Sequence, residues 1–156
     1  MAAGSNDHVI RVYFFDIDDK TGLRDPIKVC ELESHSNFVD SIQYANRSAR
    51  FLSGSKDGTA KIWKYENLKW KAKNIDATVT LAKSDLNNSP SLFDICKKAT
   101  VTMVTWNCDD SLVVTAQNNF IIKVWNSNDA QLIHELKGRW HLIGAFLFFF
   151  SDSFHF

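Results

Sequence analysis

Short stretches in which apolar and polar residues alternate recur along the chain, separated by turns rich in Gly, Asn, Asp and Ser. Alternation at period two marks a half-buried strand, and those turn residues suit hairpins. The pattern predicts strands in "HVIRVYFF" (8–15) and "IKVCELE" (27–33), with "DIDDKTGLRDP" as a polar loop between them. A second group follows: "SNFVDSIQYA", with Val39, Ile42 and Tyr44 as its buried positions, then "ARFLSGS", "TAKIWKYE" and "KWKAKNI". A third reads "ATVTMVTW", "SLVVTAQ", "NFIIKVWN" and "AQLIHELKG". The expected fold class is all-β.

Within "FLSGSKDGTAKIW" (51–63), Ser53 stands four residues before Asp57, Trp63 six residues after it, and His35 twenty-two before it. The same offsets recur in degraded form. Near the N-terminus they pick out Asp7 and Tyr13, with Ala3 in the hydroxyl slot. Near the other end they pick out Thr115, Asn119 and Trp125, with Asn119 in the aspartate slot and Lys97 in place of His35. This combination resembles the WD repeat, whose four-stranded antiparallel sheets are the blades of a β-propeller. The resemblance implies a partial propeller of about three blades. It also implies a hydrogen-bond chain inside the complete copy: Trp63 indole to Ser53 hydroxyl, Ser53 to His35 imidazole, His35 to Asp57 carboxylate. Indole only donates, hydroxyl does both, and neutral imidazole donates at one nitrogen and accepts at the other. Buried polar groups are tolerated when satisfied, so these four residues are expected to staple the blade rather than catalyse. Two other readings stand beside this one. The stretch can be an unrelated hairpin with an incidental histidine, or Ser53 and His35 can serve a small hydrolase. The second needs an exposed nucleophile beside an oxyanion hole, whereas Ser53 falls inside a strand pattern.

The organisation expected along the chain is a partial first blade at 1–33, a second at 34–75, an inserted loop at 76–98, a third blade at 99–138 and a non-WD aromatic tail at 139–156. The insertion follows from Trp63 and Trp125 lying 62 residues apart, against the roughly 40–45 expected of one repeat. A loop this long is either a private binding surface or a tolerated insertion. The tail "RWHLIGAFLFFFSDSFHF" contains six phenylalanines, an aggregation hazard if uncovered. Its apolar run, 142–150, is far shorter than the roughly 20 residues that span a bilayer. It is expected to come from alternative splicing or a misassigned gene end. Propellers close into a ring and so hide their sheet edges. Three blades alone are therefore expected to be marginal, self-associating or dependent on further blades.

Composition narrows the classes of function. Of the 156 residues, 45% are hydrophobic and 23% charged, which is globular composition. Eighteen Lys and Arg balance eighteen Asp and Glu, so no overall field favours nucleic acid or an anionic membrane, and neither is expected as a direct partner. "KWKAK" (69–73) interleaves base and aromatic and could touch a phosphate backbone, but a solvated strand face explains it more simply. Cys30, Cys96 and Cys108 are scattered and odd in number, which fits a reducing compartment. They lack the four convergent ligands of a zinc site, and "GSKDGT" lacks the ending of a phosphate loop. No cofactor or metal is expected. "MAAGSNDHV" lacks a secretory signal, so the glycosylation-type sequences Asn46-Arg47-Ser48 and Asn87-Asn88-Ser89 are idle.

More particularly, "GSNDHVIRVYFF", "SGSKDGTAKIW", "ATVTMVTW" and "IIKVWNSNDAQLIHELKG" are similar to the bromodomain-and-WD-repeat proteins, over residues 2–138. That resemblance implies a nuclear regulator in which an N-terminal propeller precedes paired bromodomains that read acetylated lysine. It implies links to transcription, cell shape and the cytoskeleton, with protein partners, chromatin-associated ones among them, held on the propeller faces. A cytoplasmic adaptor unconnected with chromatin is the alternative. The sequence contains no bromodomain, so acetyl-lysine reading does not carry over. Some relatives attach to ubiquitin ligases through Trp-Asp-x-Arg. The matching places here read Trp63-Lys64-Tyr65-Glu66 and Trp125-Asn126-Ser127-Asn128, which do not fit.

Overall fold

The computed structural model describes residues 1–14, 17–18, 22–23, 26–77 and 99–137. The expected insertion, apart from residues 76 and 77, and the expected aromatic tail lie outside the described residues, as do Cys96 and Lys97. Thirteen strands and no helix are found among the described residues: β1 (Ala2–Ala3), β2 (Val9–Phe14), β3 (Ile17–Asp18), β4 (Gly22–Leu23), β5 (Ile27–Glu33), β6 (Val39–Tyr44), β7 (Arg50–Ser55), β8 (Thr59–Glu66), β9 (Lys69–Asp76), β10 (Val101–Trp106), β11 (Leu112–Gln117), β12 (Ile121–Asn126) and β13 (Leu132–Lys137).

These strands form three main antiparallel sheets, β1-β2-β5, β6-β7-β8-β9 and β10-β11-β12-β13. The stretch expected to be a bare polar loop instead contains a two-stranded ribbon, with Ile17 opposite Leu23 and Asp18 opposite Gly22. Pairing satisfies backbone groups that an open loop leaves to water. β9 runs through Asp76, one residue beyond the expected blade boundary at 75, and Ala77 is buried.

The middle sheet packs on both faces, because its strands carry apolar residues at both parities. Phe51 and Trp63 meet Ile10 of the first sheet, with Val39 beside them. Leu52, Ala60, Ile62 and Ile75 meet Val101, Val104, Trp106, Val113 and Trp125 of the third. A bulge between Val39 and Ser41 shifts register, which lets Val39 and Ile42 share the face toward the first sheet. Of the three burial positions expected on β6, Val39 is buried, Ile42 is half-buried and Tyr44 is 43% exposed. Tyr44 ends the strand, and its ring leans on Phe51 at 5.6 Å with one side open.

The innermost strands β6 and β10 are also joined by polar contacts. Val104 N–H donates to Ser41 Oγ at 3.2 Å, and Trp106 N–H to Gln43 Oε1 at 3.1 Å. The Trp106 indole donates to the Gln43 carbonyl at 3.3 Å. β10 sits this close because Gly54 lacks a side chain. A Cβ there would lie 2.8 Å from the Cγ1 atoms of both Val101 and Val104. Gly54→Ala is therefore expected to destabilise the fold by about 1–3 kcal/mol through overpacking. A denaturant melt checks this, and an unchanged midpoint would mean that the sheets part easily.

Candidate functional site

The β7–β8 turn brings four distant side chains together. Trp63 Nε1–H donates to Ser53 Oγ at 2.9 Å, Ser53 Oγ lies 2.7 Å from His35 Nε2, and His35 Nδ1 lies 2.9 Å from Asp57 Oδ2. Ionised Asp57 can only accept, so Nδ1 carries the imidazole proton and Nε2 accepts from the Ser53 hydroxyl. Ser36 N–H at 3.0 Å and Thr59 N–H at 2.8 Å also donate to Asp57, as does the Thr59 hydroxyl at 2.6 Å. Ser55 Oγ accepts the Asp57 N–H and donates to the Asn37 carbonyl, each at 3.1 Å. The turn is closed by Gly58 at φ 84°, a left-handed conformation that glycine adopts without cost.

Electrostatics hold the chain in one protonation state. Burial pushes the His35 pKa down, and the Asp57 carboxylate opposes this without reversing it. Burial pushes Asp57 up, but hydrogen bonds from Thr59, Ser36 and His35 outweigh it and leave a pKa of about 2. Ser53 is 0% exposed, so no substrate reaches its hydroxyl in this arrangement. Chemically, the four residues tie the turn, two strands and the entry to β6 together.

The degraded copies retain parts of this pattern. Trp125 Nε1–H donates to Thr115 Oγ1 at 3.0 Å, both side chains being buried. Asn119 Oδ1 accepts the Ile121 N–H at 3.3 Å within its own turn. Asp7 accepts from Val9 N–H at 3.3 Å and pairs with Arg11, which holds its carboxyl well below the usual range. Tyr13 is half-buried and is held through its backbone, its N–H donating to the Met1 carbonyl at 2.7 Å. The turn residue after each aspartate slot has positive φ in all three copies: His8 at 70°, Gly58 at 84° and Phe120 at 66°. Only the complete copy places glycine there.

Two features escaped the sequence reading. The first is a cation four residues after each aspartate slot: Arg11, Lys61 and Lys123. Each faces an acceptor directly across on the outermost strand. Arg11 meets Glu31 at 3.3 Å, Lys61 donates to Asn74 Oδ1 at 2.5 Å, and Lys123 meets Glu135 at 3.6 Å. Extending the repeat template by one position would have exposed it. The second is Asp110, 3% exposed, whose carboxylate accepts Asn46 N–H at 2.7 Å, Arg47 N–H at 2.8 Å and the Ser48 hydroxyl at 2.9 Å. Arg50 also donates to the Asp110 carbonyl at 3.0 Å while lying over the Trp106 ring at 4.8 Å. Burial raises the Asp110 carboxyl, and the Arg47, Asn46 and Ser48 donors bring it below its ordinary value. The sequence Asn46-Arg47-Ser48 thus forms a turn clasped by the neighbouring sheet. Among the described residues, no three His, Cys, Asp or Glu side chains gather as metal ligands.

Two predictions follow from the tetrad geometry. Trp63→Ala is expected to cost roughly 3–5 kcal/mol, from the cavity and the lost contacts. A melt matching the parent would remove the stapling role. The second concerns pH. His35 and Asp57 both have folded pKa values below their unfolded ones, so the unfolded chain binds more protons and acid destabilises. Stability is expected to hold above about pH 7, fall as pH drops through about 6.5, and fall again between about 4 and 2. Melting temperatures across that range check this, and His35→Asn is expected to remove the first step alone.

Residues 26–64 and 92–126 match the WD domain, G-beta repeat family. Over 112 residues, 71% of this chain, it is 33% identical to a bromodomain and WD repeat-containing protein of Dictyostelium discoideum. The match covers 5% of that protein, so this chain spans about a twentieth of its relative's length. The structure superposes with a TM-score of 0.63 on Sqt1 of Chaetomium thermophilum, solved bound to the N-terminus of ribosomal protein L10. That likeness, at 14% identity, covers 88% of this chain and 31% of the other, and is a likeness of fold. With three face-packed antiparallel sheets and a repeated turn grammar, the chain is a WD-repeat protein built of β-propeller blades, and it resembles the bromodomain-and-WD-repeat family.

Proposed function

We propose that the chain is a noncatalytic protein-interaction scaffold, a propeller segment of a nuclear, chromatin-associated regulator of transcription and cell shape. The observation that carries the scaffold half is the buried tetrad, in which serine, histidine and aspartate are spent on one another. Rigid sheets of this kind hold surface loops and grooves in fixed positions for partners. The neighbouring fold, Sqt1, was solved holding the N-terminus of another protein, which supports a peptide or protein as the class of partner. The chromatin half rests on the 33% identity to a bromodomain and WD repeat-containing protein.

Proximity labelling from this chain in living cells, paired with a serine-directed activity probe on the purified chain, tests both halves. The expected result is labelled chromatin proteins and no probe adduct. Labelling confined to cytoplasmic proteins would replace the chromatin half with a cytoplasmic adaptor, and an adduct at Ser53 would overturn the noncatalytic half.

A further inference from the structure

A groove of about 330 Å³ opens between the second and third sheets, at the Arg50 end of β7. Arg50 from β7, Lys64 and Glu66 from β8, and Lys71 and Lys73 from β9 line it, and Asn128 closes its far side. Four cations thus face one carboxylate, in a chain whose total charge is zero. Arg50, Lys64 and Lys71 are successive cross-strand neighbours. Like charges set directly opposite one another weaken a sheet, so strand pairing alone does not account for Lys64 beside Lys71. Lysines on an outermost strand commonly guard its edge, which would cover Lys71 and Lys73. It does not cover Lys64 on an interior strand, whereas Arg50, one strand further in, is already held by Ser48, Ser127 and the Asp110 carbonyl.

The groove already holds one internal anion. Glu66 bridges Lys64 at 2.6 Å and Lys71 at 3.4 Å, and those lysines, Lys64 first, hold its carboxyl below the usual range. Lys73 donates to the Asn128 carbonyl across the groove. The lysine ends remain open to solvent, with Lys64 and Lys71 side chains each 59% exposed. Nucleic acid would want an aromatic platform for its bases, and the groove offers none. Trp70 turns to the opposite face, 5.1 Å from Phe51, and the Trp106 ring lies under Arg50. The volume is at the low end for ligand sites, which begin near 300 Å³. It suits a few side chains of an extended segment.

We infer that this groove docks an acidic linear segment of a protein partner, whose carboxylates join or displace Glu66 between Lys64 and Lys71. The inference rests on the scaffold reading and names its surface and the chemistry it takes.

Fluorescence anisotropy on the 156-residue chain tests it, with a labelled Glu/Asp-rich peptide, its Gln/Asn counterpart and a single-stranded DNA of equal charge. The acidic peptide is expected to bind at least about tenfold more tightly than the amide peptide and the DNA, and to weaken with added salt. Reversing Lys64→Glu and Lys71→Glu together is expected to weaken it by about tenfold or more. Lys56→Glu, at the other end of β7, leaves it unchanged. Glu66→Gln is expected to tighten binding by freeing both lysines, a gain that a purely structural role would not produce. Far-ultraviolet spectra of each variant check folding. Equal binding of acidic and amide peptides, indifference to the charge reversal, or DNA binding at least as tight through the same lysines would each overturn the inference. The proximity labelling is repeated with the charge-reversed chain. Partner labelling without acidic-peptide binding sinks the groove and spares the scaffold reading, whereas failure of labelling by the parent sinks the scaffold itself.

Discussion

The second and third sheets bury apolar residues on both faces, and a sheet with two apolar faces requires a neighbour on each side. The middle sheet meets that requirement, with Phe51 and Trp63 against the first sheet and Leu52 and Ile62 against the third. The tetrad and the Asp110 clasp both lie along that stacking. The tetrad lies on the face toward the first sheet, where Ser53 and Trp63 share a side of the pleat with Phe51. The Asp110 clasp and the Gln43 and Ser41 contacts run along the other interface. Gly54 sets how closely that second interface can approach.

The tetrad and the cation pairs fasten different strands. Ser53, Asp57, Trp63 and His35 tie β7, the turn, β8 and the approach to β6. The Lys61–Asn74 contact ties β8 to β9 instead, as Arg11–Glu31 and Lys123–Glu135 do in the other sheets. The second fastening is present in all three copies while the first is complete in only one. The sequence degradation of the outer copies therefore falls on the turn grammar and spares the link to the outermost strand.

What the sequence made legible was local. Strand and turn positions followed from alternation, and the residues of the tetrad stood out because three of the four lie within one hairpin. Tyr44 stays exposed against the alternation because alternation assigns a face and not a position along the strand, and this ring sits where the sheet ends. Asp110 was invisible because the groups it binds are more than sixty residues away and are mostly backbone amides, which carry no side-chain signature. The groove was hidden for a related reason. "KWKAK" reads as a mixed basic and aromatic run, and only the pleat separates its lysines from Trp70 and sets them beside Lys64 and Arg50.

The clasp on Asn46, Arg47 and Ser48 has a consequence for how such a chain is made. The hairpin joining β6 to β7 leaves the ribosome 64 residues ahead of the carboxylate that receives the Asn46 amide. Until then its donors are left to water, and a blade standing alone is an unfinished one. Synthesis therefore completes the second blade only in retrospect, when the third arrives to close the turn behind it.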